Sequence, residues 1–155
     1  NMTLDSTDTA ILNAILWDAK APLQTIAKNL HLPLSTLHHR IKKFEEQKII
    51  LRYETRVDHA KLGKTIESFI LIEAMNVLPS GKKVFQQDIL EELKKMDVVE
   101  EAFIITGTAD LMARTRVKDL EELNELITHR LRKIEGIGAT QTMMVLKESG
   151  HKPTV

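Results

Sequence analysis

The sequence contains no cysteine, which excludes a disulfide framework and thiolate chemistry and suits the reducing cytoplasm. It has no apolar run near the roughly 18 residues that read as a bilayer span, and its start lacks the charged-then-apolar layout of a signal peptide. No membrane association is expected. A phosphate-cradling glycine-rich loop, a nucleophile elbow and a conspicuous acid pair are missing too. The six histidines, His31, His38, His39, His59, His129 and His151, show no metal-ligand spacing with one another or with a carboxylate. The residues themselves therefore suggest no catalytic residue, no metal and no cofactor. Net charge is zero, with 22 cations against 22 anions, which at first argues against a polyanionic partner.

What is present is unevenly placed. Residues 20–56 carry eight cations and three anions, an excess of +5, whereas residues 57–155 carry fourteen cations and sixteen anions. A basic segment joined to a slightly acidic remainder fits a division of labour in which one part meets phosphates and the other meets something else. The 155 residues, 43% of them hydrophobic, suffice for one domain or two small ones with packed cores. Asn1, ahead of Met2, reads as a foreign residue and is set aside.

The basic segment has helical periodicity. Apolar residues recur at Leu23, Ile26, Ala27 and Leu30, then at Leu34, Leu37, Ile41 and Phe44, with only His31, Leu32 and Pro33 between the two sets. Two amphipathic arms on so short a connection make a helix-turn-helix, in which small Ala27 lets the second helix cross closely over the first. Asp5 or Ser6 starts a preceding helix with acidic Asp8 in its first turn. Pro22 and Pro33 stand at helix starts, and since neither can cap with a side chain, Ser35 is expected to cap the third helix and shorten it by a turn. That helix turns Ser35, Thr36, His38, His39, Lys42 and Lys43 to water. Hydroxyls and imidazoles suit base edges in a groove, and the two lysines suit phosphates. Arg40, beside Ile41, either braces the domain or grips a phosphate. An ordinary helical hairpin with a solvated face has the same periodicity.

Residues 49–57, rich in β-formers alternating with charge, read as a strand or ribbon. It serves either as a wing whose Arg52 and Arg56 touch a DNA backbone or as a hinge strand pairing with a second copy of the chain. Residues 58–65 look like a linker. Beyond it the pattern predicts a strand over 67–77, a helix over 84–96 with Phe85, Ile89, Leu93 and Met96 on one side, and strands over 98–106 and 111–117. A helix opened by an Asp119–Glu122 capping box and a strand over 138–146 follow. Strand, helix, strand, strand, helix, strand is the split βαβ, or ferredoxin-like, order. It places two helices on one sheet face and leaves the other for a second copy of the same sheet, so a homodimer is expected. Trp17 is expected to be a partly buried contact between domains or subunits, and Met143 and Met144 to be core and interface fillers.

Five stretches, LDSTDTAIL, IAKNLHLPLSTLHHRIKKFE, IILRYETRVDHAKLG, ITGTAD and TQTMMVLKE, lie in an order and spacing that resemble the feast/famine, or Lrp/AsnC, transcription regulators over nearly the full length. The resemblance implies a DNA-binding N-terminal domain and a C-terminal domain that dimerises, assembles to tetramers or octamers, and often binds an amino acid between dimers near the Gly-x-x-Asp loop. The chain is therefore expected to be an α+β protein. A (winged) helix-turn-helix domain with its connecting strand and linker fills residues 1–62, and a ferredoxin-like βαββαβ domain for dimerisation and effector binding fills 63–150. Expected DNA contacts are Ser35, Thr36, His38, His39, Arg40, Lys42, Lys43 and Arg52 on double-stranded DNA.

Expected effector contacts are Thr106, Gly107, Thr108, Asp110, Thr140 and Thr142. Backbone amides at Gly107 and Thr108 would take an anion, and the Asp110 carboxylate an ammonium. The same loop also reads as a tight turn in which Asp110 bonds its own backbone. His31 stands where the family usually has glycine and Pro33 where it has a capping serine, so the turn is expected to be built differently. Thr108 and Ala109 replace the usual acidic and aromatic residues, leaving room but removing a stacking surface. Two other readings share this architecture: a haem-precursor decarboxylase-like enzyme, and an architectural DNA-binding protein of low specificity.

Overall fold

Asp5 opens the first helix through a reciprocal capping box. Its carboxylate accepts the Asp8 N–H at 2.6 Å, and the Asp8 carboxylate accepts the Asp5 N–H at 3.1 Å. α1 (Ser6–Trp17) then buries Ile11, Leu12 and Ile15 in a core shared with α2 (Leu23–Asn29) and α3 (Leu34–Glu46). Those two helices contribute Ile26, Ala27, Leu37, Ile41 and Phe44, the apolar stripes expected from periodicity. This computed structural model describes residues 3–150 and 155; Asn1 and His151 lie outside them. The chain divides into two compact units, one reaching Arg56 and the other spanning Val57–Glu148.

α2 and α3 end in the same way. After α2 the N–H of Leu32 donates to Ala27 O at 2.9 Å and that of His31 to Lys28 O at 3.2 Å. After α3 the N–H of Ile49 donates to Phe44 O at 2.8 Å and that of Lys48 to Glu45 O at 3.0 Å. Both are Schellman closures, which call for a left-handed residue, and His31 (φ 54°) and Lys48 (φ 55°) supply it in place of glycine. The helix-turn-helix connection is thus not built differently for want of glycine; it keeps the glycine conformation and bears the strain. Ser35 does not cap α3. The helix starts at Leu34 behind Pro33 with no side-chain cap, so no turn is lost.

Residues 51–58 form no strand, contrary to expectation. Alternating β-formers make a strand only when a partner takes their backbone groups, and none among the described residues of this unit does. Tyr53 instead folds back on α3, its hydroxyl donating to Glu45 Oε1 at 2.8 Å. Trp17 is 75% exposed at the end of α1 within the single chain, so any burial of it requires another subunit.

The second unit is built on β1 (Ile66–Ala74), α4 (Gln86–Lys94), β2 (Val99–Ile104), β3 (Leu111–Val117), α5 (Leu120–Glu125) and β4 (Ile137–Met144). The sheet has the order β2-β3-β1-β4, antiparallel throughout, the expected ferredoxin-like arrangement. Alternation sends Ile70 and Ile72 of β1 and Leu111 and Ala113 of β3 toward Ile89 and Leu93 of α4 and the residues after α5. Within that face Ser68 and Thr115, both fully buried, join their hydroxyls at 2.7 Å.

Several bounds move. β1 stops at Ala74, because the hairpin after it, pinned by a bridge between Val77 and Lys83, leaves the sheet. Phe85 precedes α4 and is 65% exposed, so it is not on the buried stripe. Glu122 forms only half a box: Asp119 accepts its N–H, but its own carboxylate takes the Lys118 N–H. The helix after Asp119 continues as a π turn (Leu126–Arg130) and a 3₁₀ turn (Leu131–Lys133). The i→i+5 bond from Leu131 N–H to Leu126 O lets two leucines five apart both be fully buried. Gly136 (φ 89°) then turns the chain into β4 where a Cβ would lie 2.5 Å from Val84 Cγ1. Met143 and Met144 are 42% and 48% exposed rather than core, since Met143 lies on the open sheet face and Met144 ends an edge strand.

Candidate nucleic-acid interface and effector loop

α3 has two faces of opposite character. Leu37, Ile41 and Phe44 are buried, while Ser35, His38, His39, Lys42 and Lys43 are exposed and Thr36 and Arg40 are half-buried. Ser35, free of capping duty, keeps its hydroxyl for other partners. Lys43 has no ion pair among the described residues, and Lys42 has only a loose one to Glu46 at 3.8 Å, one turn away on the same helix. Arg52 pairs with Glu54 at 2.5 Å, both side chains largely exposed, a weak and salt-labile arrangement.

Arg40 is placed differently. Its Nη1 donates to Asp5 Oδ2 and Asp8 Oδ1, each at 2.6 Å, so one guanidinium of α3 clasps both carboxylates of the α1 capping box. The Arg40 guanidinium holds the Asp5 carboxyl below the usual carboxylate range, with the Asp8 N–H adding to it. Bracing, rather than phosphate contact, occupies this cation. Tyr53, across α3 from it in sequence, has its phenol pushed up to about 12, first by desolvation and then by the bond to Glu45.

In the second unit the expected effector residues do not converge on one face. Thr140 and Thr142 stand opposite Ile72 and Ile70, on the helix-covered side of the sheet. Thr106, Gly107 and Thr108 are exposed in the turn between β2 and β3, with Gly107 at φ 127°. The Asp110 carboxylate neither bonds its own turn nor stands free. Its Oδ2 accepts the Ala74 N–H at 2.7 Å and its Oδ1 accepts Gln86 Nε2 at 3.0 Å, tying the turn to the end of β1 and the start of α4. A groove of about 220 Å³ opens beside the turn, lined by Leu71, Glu73, Thr108, Ala109, Ala139, Thr140 and Gln141.

Sequence reasoning missed a charge network on the open sheet face. Glu67 accepts from Arg114 Nε and Arg116 Nη2, each at 2.7 Å, and Arg116 Nε also donates to Glu100 at 2.7 Å. Burial alone would raise the Glu67 carboxyl, but the two guanidinium groups outweigh it and hold it below the usual range. Period-two spacing of Arg114 and Arg116 was the signal, since residues two apart share a strand face. Among the described residues no group of three or more histidines or carboxylates could hold a metal ion, and no helix is long and apolar enough to cross a membrane.

Comparison with known proteins agrees with this two-part layout. The profile of a winged helix-turn-helix DNA-binding domain matches residues 4–50, and that of the Lrp/AsnC ligand binding domain matches residues 76–155. The HTH-type transcriptional regulator FL11 of Pyrococcus abyssi is 35% identical over 153 residues, covering 99% of this chain and 95% of that protein. An uncharacterized HTH-type transcriptional regulator of the same organism is 32% identical over 141 residues, 91% of each chain. Among solved structures, a Neisseria meningitidis transcriptional regulator in complex with L-Met superposes with a TM-score of 0.89 at 21% identity, covering 99% of this chain and 96% of that one. Escherichia coli AsnC gives 0.81 at 24% identity, covering 98% and 100%. With a helix-turn-helix unit, a ligand-binding unit and full-length relatives that are transcriptional regulators, this chain belongs to the Lrp/AsnC family of DNA-binding transcriptional regulators.

Proposed function

We propose that α3 is the recognition helix, with Ser35, Thr36, His38 and His39 at base edges and Lys42, Lys43 and Arg52 at phosphates. The observation that carries this is the division of α3 itself: a buried apolar stripe of Leu37, Ile41 and Phe44 opposite the Ser35 hydroxyl, two imidazoles and two ammonium groups, all exposed. Arg40 is left out of the contact set, because its guanidinium is engaged by Asp5 and Asp8. The protein acts in the cytoplasm as a homodimer able to assemble to tetramers or octamers. The open sheet face supports the dimer, since Phe69, Leu71 and Met112 are half-buried there and Phe103 and Met143 more than 40% exposed, with no second layer from this unit among the described residues. A dimer presents α3 twice and reads a pseudo-palindrome with half-sites about one helical turn, or a multiple of it, apart. The 106–110 loop and its groove hold an amino acid that modulates binding.

The test is anisotropy of labelled duplexes, selected from random sequence, titrated against salt. Lys43→Ala should weaken binding to all sequences and lower the slope of log affinity against log salt by about one per protomer, whereas His39→Ala should relax preference at one position of the half-site. An unchanged slope for Lys43→Ala together with unchanged preference for His39→Ala would remove α3 from the interface.

A further inference from the structure

An imidazole changes its hydrogen-bonding character near neutral pH. Neutral, it offers one donor and one acceptor; protonated, it offers two donors, a positive charge and no acceptor. α3 carries two exposed imidazoles, and they differ in place. His38 is four residues after Leu34 and three before buried Ile41, so it flanks the apolar stripe. His39 is four residues after Ser35, three before Lys42 and four before Lys43. It therefore stands on the side of α3 opposite the stripe, between a hydroxyl and two ammonium groups.

Among the described residues the His39 ring has neither a hydrogen bond nor an ion pair. The charged groups near it on α3 are Lys42 and Lys43, with Glu46 loosely paired to Lys42 and Glu45 accepting from Tyr53. The groove beside it is lined from α1 and α2 by Ile15, Leu23 and Ile26, which bring no titratable group. No carboxylate of the N-terminal unit thus claims the charged ring, which is left to acceptors outside the chain.

Resting on the reading that α3 is the recognition helix, we infer that His39 is a specificity-determining residue whose base preference depends on its proton, and that the charged ring selects guanine. The major-groove edge of guanine presents two acceptors, N7 and O6, whereas adenine and cytosine each present an amino donor. A neutral imidazole keeps an acceptor for those amino groups. The imidazolium has none and carries the charge that favours two adjacent acceptors. Acidification therefore sharpens the choice at one position of each half-site.

The full-length protein selects duplexes from random sequence at about pH 6 and about pH 8, on either side of the ordinary imidazole value, and anisotropy then gives the Kd for each base at the selected position. Wild type should favour guanine about tenfold more at the lower pH. His39→Gln, which keeps a donor and an acceptor but takes no charge, should show one preference at both pH values. His39→Arg, always charged, should favour guanine at both. The other histidines titrate in both variants, so a difference between wild type and His39→Gln belongs to His39. A wild-type preference that ignores pH, or that moves equally in His39→Gln, would overturn the proton-dependent reading and leave α3 as the recognition helix. A salt slope that steepens at the lower pH with unchanged preference would put the charged ring on a phosphate and overturn the guanine assignment. Identical affinity and preference in wild type and both variants would remove His39 from the interface, and an unchanged salt slope in Lys43→Ala as well would remove α3 with it.

Discussion

Replacing His31 by glycine should stabilise the N-terminal unit. His31 sits at φ 54° in the position after α2 where the chain must turn left-handed to let Leu32 bond Ala27 O. An L-residue with a Cβ bears about 1–2 kcal/mol there, which glycine escapes. Glycine loses more freedom on folding, which returns roughly 0.5–1 kcal/mol. The net expectation is a gain of about 0.5–1 kcal/mol. Lys48, at φ 55° behind α3, carries the same strain with the same closing bonds, so Lys48→Gly should give a similar gain. The two sites flank α3, whose length at about 1.5 Å per residue keeps them roughly 20 Å apart, beyond the range where substitutions couple, so the gains should add. Urea unfolding followed by Trp17, the only tryptophan, reports this unit. For a unit of this size about 1 kcal/mol moves the melting temperature by roughly 4–8 °C. His31→Ala is the control: it keeps the Cβ and should gain nothing. If His31→Gly matched His31→Ala, or fell below wild type, the left-handed residues would bear no strain and the account of these two turns would be wrong.

Arg40→Ala should destabilise the N-terminal unit, because Asp8, only 6% exposed, loses its cation, yet should leave the salt slope of DNA binding unchanged. A slope lowered by one would return Arg40 to the phosphate contacts. Ser68→Ala and Thr115→Val should each cost about 1–3 kcal/mol by orphaning a buried hydroxyl, while the double variant costs less than the sum, as urea unfolding of the four proteins would measure. Tyr53, the only tyrosine, should titrate near 12 by ultraviolet absorbance in the folded protein. Its ordinary value is 10.0, so between that and about 12 only the unfolded chain gives up the phenolic proton, and stability falls as pH rises through that window. Glu45→Gln should narrow the window without closing it, because desolvation is the larger cause.

Features fixed by near neighbours could be read from the sequence. The Asp5–Asp8 box joins residues three apart, the stripes of α2 and α3 are set by helical spacing, and the strand expected over 111–117 is β3 at its observed bounds. What escaped depends on distant partners. Arg40 lies 32 residues from Asp8 in sequence, and periodicity along α3 could say only that it borders the buried face. Residues 49–57 have a strand's composition, but composition cannot supply the partner that turns β-formers into a strand. Asp110 was read within its own four-residue loop, and its partners, Ala74 and Gln86, belong to a strand and a helix 36 and 24 residues earlier.

The same distinction changes the meaning of the local charge. Eight cations across residues 20–56 suggest a strong field for phosphates, but ion pairing takes part of it back. Arg40 is held by two carboxylates, Asp5 and Asp8, both from the start of α1 and outside residues 20–56, and Arg52 and Lys42 face Glu54 and Glu46. The exposed pairs are weak, so a phosphate can displace the glutamates of Arg52 and Lys42 at little cost, whereas taking Arg40 would strip Asp8 of its cation and unfasten the start of α1. Lys43 needs no such exchange. The cations available to DNA are therefore ranked by what each must give up, with Lys43 ahead of Lys42 and Arg52 and Arg40 last, an order that the salt slopes of the single alanine variants would reproduce.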